Sequence, residues 1–135
     1  LYRELRDPRE VARLWETLAR LELRAGRRPR ALAHLQAALH QQQQIGDLIG
    51  LARSTATLAD LLAAEGRLQE ALELLSESIA LNLDKGSPLG LAENRRALQQ
   101  LAAPAQQAGL LRALQLTAQR LDAAQAIVGQ AQLPS

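Results

Sequence analysis

The chain has 135 residues, enough for one domain, and a formal net charge of only +2. It contains no cysteine, which excludes a disulfide framework and any thiolate metal site. No apolar run approaches the length of a membrane span, and the start lacks a signal-peptide pattern, so a cytoplasmic location is the default expectation.

Helix formers dominate and β-branched residues are scarce, which points to an all-α fold. With one Trp, one Tyr and no Phe, the core has to be built from Leu and Ala at close helix–helix distances. Charge is unevenly placed. Residues 1–30 carry nine Arg against five acidic residues, while the remaining residues sum to −2, so only the N-terminal quarter can present a basic surface.

Asp7 followed by Pro8 opens the first predicted helix, an oxygen-bearing cap before a proline preset for the first turn. That helix covers roughly 8–25, with Val11, Trp15, Leu18 and Leu21 or Glu22 at core-facing spacing, and Gly26 stops it. A second helix at 28–44 carries Ala31, Leu32, Leu35, Ala38 and Leu39 and ends at Gly46. From Asp47 the pattern starts again: a helix at 48–65 with Leu51, Leu58, Leu61 and Leu62, a stop at Gly66, then a helix at 68–84 ending at Gly86.

Ser87 and Pro88 open a third round at 88–103. It decays at Gln99, Gln100 and Pro104, and a final amphipathic helix follows at about 109–128, with Leu110, Leu111, Leu114, Ala118, Leu121 and Ile127 on one side. Residues 1–6 share the phase of 41–46 and 81–86, and no Met stands at position 1. They are expected to be the tail of a preceding repeat helix.

The period is therefore 40 residues. Residues 7–26 and 47–66 share 8 identities in 20 positions. A period of this size marks a stacked helical array in which each unit buries its apolar face against its neighbours. The expected organisation is repeat 1 at 7–46, repeat 2 at 47–86, a degenerate repeat 3 with capping helix at 87–128, and a tail at 129–135. Turns of two or three residues within each unit force antiparallel neighbours.

The series Trp15, Leu18, Ala19, Gly26, Ala31, Leu35 and Ala38 resembles the tetratricopeptide repeat, and Leu58, Ala59, Leu62, Gly66, Ala71, Leu75 and Ser78 repeat it. The runs at 46–52 and 86–92, GD-x-x-GLA and GSPLGLA, look like the long-helix subclass with repeats near 40 residues, found in signalling scaffolds and bacterial regulatory proteins. The resemblance covers about 7–103. It implies an α-solenoid, a right-handed superhelix of about three antiparallel hairpins with a C-terminal capping helix. It also implies a non-catalytic scaffold that holds a partner segment in a concave groove.

Nothing in the sequence argues for catalysis. His34 and His40 lie six apart on a helix and point in different directions, without a third ligand nearby. The glycines are evenly spaced helix stops rather than a phosphate loop. Ser54, Thr55 and Thr57 lack a partnering His or Lys, and Asp60 and Glu65 lack an acid–base partner. No catalytic residue, metal or cofactor is expected.

Arg9, Arg13, Arg20 and Arg24 fall within an arc of about 60° on the first helix, with Glu16 beside them. In tetratricopeptide folds the corresponding face lines the concave groove. The resemblance places Arg13, Glu16 and Arg20 there, then Arg53, Ala56 and Asp60, then Glu93, Arg96 and Gln100. Arg9, Ile49 and Leu89 lie one turn nearer the helix starts.

Two readings of this face stand. It is a solvated surface with rungs from Arg20 to Asp60 and from Arg53 to Glu93, each worth about 0–1 kcal/mol. Or it is a mixed groove, with arginines for acidic groups of a protein or peptide and Ile49, Ala56 and Leu89 for apolar side chains. The Lys/Asn arrangement of the carboxylate-clamp members is absent, which argues against capture of a free C-terminus in that manner.

An alternative function is a regulatory or sensor segment of a larger signalling or transcription-regulatory protein, acting by intramolecular contact or by self-association as a homo-oligomer. Nucleic acid is disfavoured as a partner, because stacking aromatics are nearly absent and Glu16 interrupts the arginine stripe. A solenoid cut within an array would expose an apolar flank around Leu14, Trp15 and the face of the 28–44 helix.

Overall fold

The computed structural model describes residues 7–132; the expected helix tail at 1–6 lies outside the described residues, as do 133–135. Six helices follow in order: α1 (Pro8–Arg24), α2 (Arg28–Ile45), α3 (Leu48–Ala64), α4 (Leu68–Lys85), α5 (Pro88–Gln107) and α6 (Leu111–Ala131). There is no strand among the described residues.

Local chemistry sets each start. The side-chain oxygens of Asp7, Asp47 and Ser87, all in one phase, accept the N–H groups of Arg9, Gly50 and Gly90, each at 3.0 Å. They satisfy donors that the first turn leaves without a helical partner. The stops are equally regular. Gly26, Gly46, Gly66, Gly86 and Gly109 have φ between 62° and 80°, the left-handed region. After each, the next N–H reaches back five residues, as in Arg27 to the Glu22 carbonyl at 2.8 Å and Ser87 to the Asn82 carbonyl at 2.9 Å.

The helices form three hairpins, α1–α2, α3–α4 and α5–α6, stacked in chain order through α2–α3 and α4–α5 contacts. The architecture is an α-solenoid. First helices also touch one another, α1 to α3 and α3 to α5, whereas α2 does not reach α4 among the described residues. Elements on the inside of a curved stack crowd together and those outside splay apart. The first helices therefore line the concave side. In the last unit the order relaxes, and α6 packs on α4 as well as α5.

Several expectations need correction. α5 does not stop at residue 103; it runs through Pro104 to Gln107. An interior proline costs about 3 kcal/mol, and here Leu101 and Ala105 on either side of it are buried, so packing carries the helix on to its stop at Gly109. The core-facing side of α1 is not Trp15, Leu18 and Leu21, which are exposed, but Ala12, Glu16 and Ala19. Small residues face the partner helix because the hairpin is close-packed.

On α6 the buried line is Thr117, Leu121, Ala124 and Val128, while Leu111 and Ile127 face outward. α6 also continues to Ala131, past the expected tail start at 129.

Candidate partner-binding groove

The inner face carries two adjoining clefts between α3 and α5. One, near the helix starts, is lined by Ile49, Arg53, Ala56, Leu89 and Glu93, with Ser78, Asn82 and Asn94 beneath. The second, farther along, gathers Arg20, Arg53, Ala56, Asp60, Glu93 and Arg96, with Gln100 at its edge. Ile49 and Leu89 are exposed apolar side chains, so the first cleft offers greasy contact and the second is charged. Arg53, Ala56 and Glu93 belong to both. Desolvation by the surrounding protein raises the Asp60 carboxyl from its ordinary value, although the side chain still reaches solvent.

Three sequence-predicted residues behave differently. Arg9 and Arg13 are exposed on α1 and line neither cleft. Glu16, expected on the open face, is only 1% exposed. Its carboxylate accepts from Arg53 Nε at 3.1 and 3.3 Å, from Ser54 Oγ at 3.2 Å and from Gln42 Nε2 at 3.4 Å, and Arg20 Nη2 stands 3.6 Å away. Neither expected rung forms: Arg20 and Arg53 both turn to Glu16, not to Asp60 and Glu93. The cause is geometric. Glu16 lies at the seam where α1, α2 and α3 meet, and a buried carboxylate must gather donors.

The next seam solves the same problem without charge. Asn82 Nδ2 donates to Asn94 Oδ1 at 2.7 Å, Asn94 Nδ2 to Ser78 Oγ at 2.9 Å, and Ser78 Oγ to the Ala52 carbonyl at 2.7 Å, all buried. Gly90 makes room for this layer, since a Cβ there would collide with the Asn82 amide; Gly50 does the same one repeat earlier, where a Cβ would run into the Asp47 carboxylate and sit 2.9 Å from Gln42 Nε2.

Sequence reasoning missed this layer. The available signal was polar identity at repeat spacing, Gln42 with Asn82 and Ser54 with Asn94, beside the glycines of the GLA runs.

Elsewhere, His34 stacks on Trp15 with ring centroids 5.3 Å apart and stands 2.8 Å from Glu22. Among the described residues no group of three or more His, Asp or Glu is placed to hold a metal ion, and no helix is long and apolar enough to cross a membrane.

The family model described as Tetratricopeptide repeat matches residues 10–84. No curated protein and no solved structure matches the chain. Repeats of this family are non-catalytic and mediate protein–protein interaction. With more than half of its length matched and hairpins stacked at the same period, the chain belongs to the tetratricopeptide repeat family.

Proposed function

We propose that the concave face is a docking groove for a segment of a partner protein, and that the chain is an interaction scaffold. The observation that carries this reading is the pairing of exposed apolar side chains, Ile49 and Leu89, with the charged cluster of Arg53, Asp60, Glu93 and Arg96 in adjoining clefts on one face. Apolar anchors beside fixed charges suit an extended or short helical segment with a hydrophobic residue near an acidic one.

Arg53 is the pivot of the groove. Its Nε is committed to Glu16, and its guanidinium edge still lines both clefts. A donor held in place loses less freedom on binding than a mobile one. The role extends to Arg9 and Arg13 as outlying basic groups that draw an acidic partner toward α1.

Selection of displayed peptides on the chain tests the reading. Enriched sequences should combine an apolar residue with Asp or Glu. They should lose binding to Leu89→Asp and to Arg96→Glu, two substitutions outside the core. Equal binding by both variants would remove the groove as the docking surface.

A further inference from the structure

The turn from α1 into α2 gathers four arginines, Arg24, Arg27, Arg28 and Arg30, all exposed. Ala25, Gly26 and Pro29 complete the run. No acidic residue follows Glu22 before Asp47, and Glu22 itself stands 2.8 Å from His34. Among the described residues none of the four arginines makes an ion pair. None of them lines the concave clefts.

The second hairpin shows what these positions otherwise do. One period on, Arg24, Arg27, Arg28 and Arg30 correspond to Ala64, Arg67, Leu68 and Glu70. There Arg67 donates to both carboxylate oxygens of Glu70, at 2.9 and 2.6 Å, and Glu65 adds a further negative charge. In the first hairpin Arg30 stands where that carboxylate would be, so cation repels cation three residues apart. The local neutralisation used next door is given up.

Exposure of the turn follows from its place in the fold, not from a missing neighbour. Glu65, Arg67 and Glu70 are exposed too, although the second hairpin has a hairpin packed on either side. The length of α1 also puts the turn about 25 Å from Asp7, where the described residues begin.

We propose that this turn docks a short acidic segment of a partner protein, a run of Asp and Glu side chains held by the four guanidinium groups. A guanidinium fork matches a carboxylate through two parallel N–H···O bonds. The extent of the patch selects a short segment. It ends at the next turn along the same edge of the stack, where Glu65, Glu70 and Glu73 are exposed. A nucleic-acid duplex or a charged bilayer would extend over those carboxylates and be repelled, whereas a few acidic side chains meet arginine alone. A bilayer also finds no large apolar side chain between Arg24 and Arg30 to bury. The site lies apart from the concave clefts and does not depend on the groove reading.

Fluorescence anisotropy of a labelled hexaglutamate peptide, titrated with the chain at low ionic strength, tests the proposal. Saturable binding that weakens as salt is raised is expected. Arg28→Gln weakens it by up to about fivefold, the worth of one exposed ion pair. Arg30→Glu restores the pairing pattern of the second hairpin, removing one cation and engaging Arg27. It weakens binding by more than about tenfold, with the denaturation midpoint unchanged or higher. Glu70→Arg frees Arg67, extends the patch and tightens binding. Arg120→Glu, an exposed position on α6 with the same change in charge as Arg30→Glu, leaves binding intact.

Absence of binding at low salt overturns the proposal. So does an equal loss in Arg120→Glu and Arg30→Glu, which reduces the effect to net charge. Loss in Arg96→Glu without loss in Arg30→Glu places the acidic segment in the groove instead. Tighter binding of duplex DNA or of phosphatidylserine vesicles than of hexaglutamate, at equal charge, overturns the choice of a protein segment.

Discussion

Glu16 joins the first two units through one carboxylate. Its partners differ in what they leave behind when removed. Arg53→Ala deprives an almost fully buried carboxylate of its two-contact cation, whereas Arg20 is half-exposed and 3.6 Å away. We therefore expect Arg53→Ala to cost about 3–5 kcal/mol and Arg20→Ala less than about 1 kcal/mol. Glu16→Ala, which strands buried Gln42 and Ser54 but leaves Arg53 within reach of water, falls between, at about 2–4 kcal/mol. Urea denaturation of the three variants checks the order; equal costs for Arg20→Ala and Arg53→Ala would mean that Glu16 draws on both arginines alike.

Asp60 gives a pH dependence of opposite sense to the usual carboxylate. Its pKa is raised in the folded state, so the unfolded chain releases this proton first as pH rises. Folding loses stability from the ordinary carboxylate range up to the raised value, and the penalty is constant above it. Asp60→Asn should raise the denaturation midpoint slightly near neutral pH and make no difference below the carboxylate range. A lower midpoint at neutral pH would show that the charge is stabilising where it stands.

At the scale of helices, small residues decide the fit. Ala19 and Ala59 are each 1% exposed at equivalent places in the first two hairpins. Substitution of either by Leu should destabilise by about 1–3 kcal/mol, the usual cost of overpacking. An unchanged denaturation midpoint would contradict the close packing. Gly90 makes a sharper case, because alanine is the better helix former by about 1 kcal/mol. Gly90→Ala should nevertheless destabilise, since its Cβ would run into Asn82, which is held by Asn94. Truncating the obstacle in Asn82→Ala/Gly90→Ala should recover part of that loss, a coupling that thermal melts of the single and double variants will reveal.

These residues also mark how far the sequence could be read. Helix ends were legible because caps and left-handed glycines are local devices, decided by a few neighbouring atoms. The inward face of α1 was not. Apolar spacing selects Trp15, Leu18 and Leu21, but whether a ridge is covered depends on a neighbouring unit, which periodicity within one helix does not encode. Glu16 was misplaced for a related reason: a charge beside an arginine stripe reads as surface, and only the meeting of three helices buries it. Ile49, Arg53, Ala56, Leu89 and Glu93, which the family resemblance put on one face, line a single cleft, while the Asn82–Asn94–Ser78 floor required the packing of α4 under α5.

Across the whole molecule, burial is uneven along the stack. Among the described residues of the first hairpin Leu35 is the one large apolar side chain that is buried; the rest of its interior is alanine, Glu16 and Gln42. The second hairpin buries Leu61, Leu62, Leu72, Leu75 and Ile79, and the third buries Leu91, Leu98, Leu101, Leu121 and Val128. A stacked array has roughly the stability of its units plus their interfaces, so the unit with the thinnest core and a single seam opens first.

Amide hydrogen exchange should accordingly show α1 and α2 exchanging faster than α3 and α4, with α5 and α6 between them because α6 also braces α4. Arg53→Ala should widen that gap by loosening the seam that ties α1 to α3, while leaving the α4–α5 seam untouched. The measurement is peptide-resolved exchange followed by mass spectrometry. Equal protection across all six helices, or α6 exchanging before α1, would mean that the stack opens as one unit and that the charged seam is as strong as the amide one.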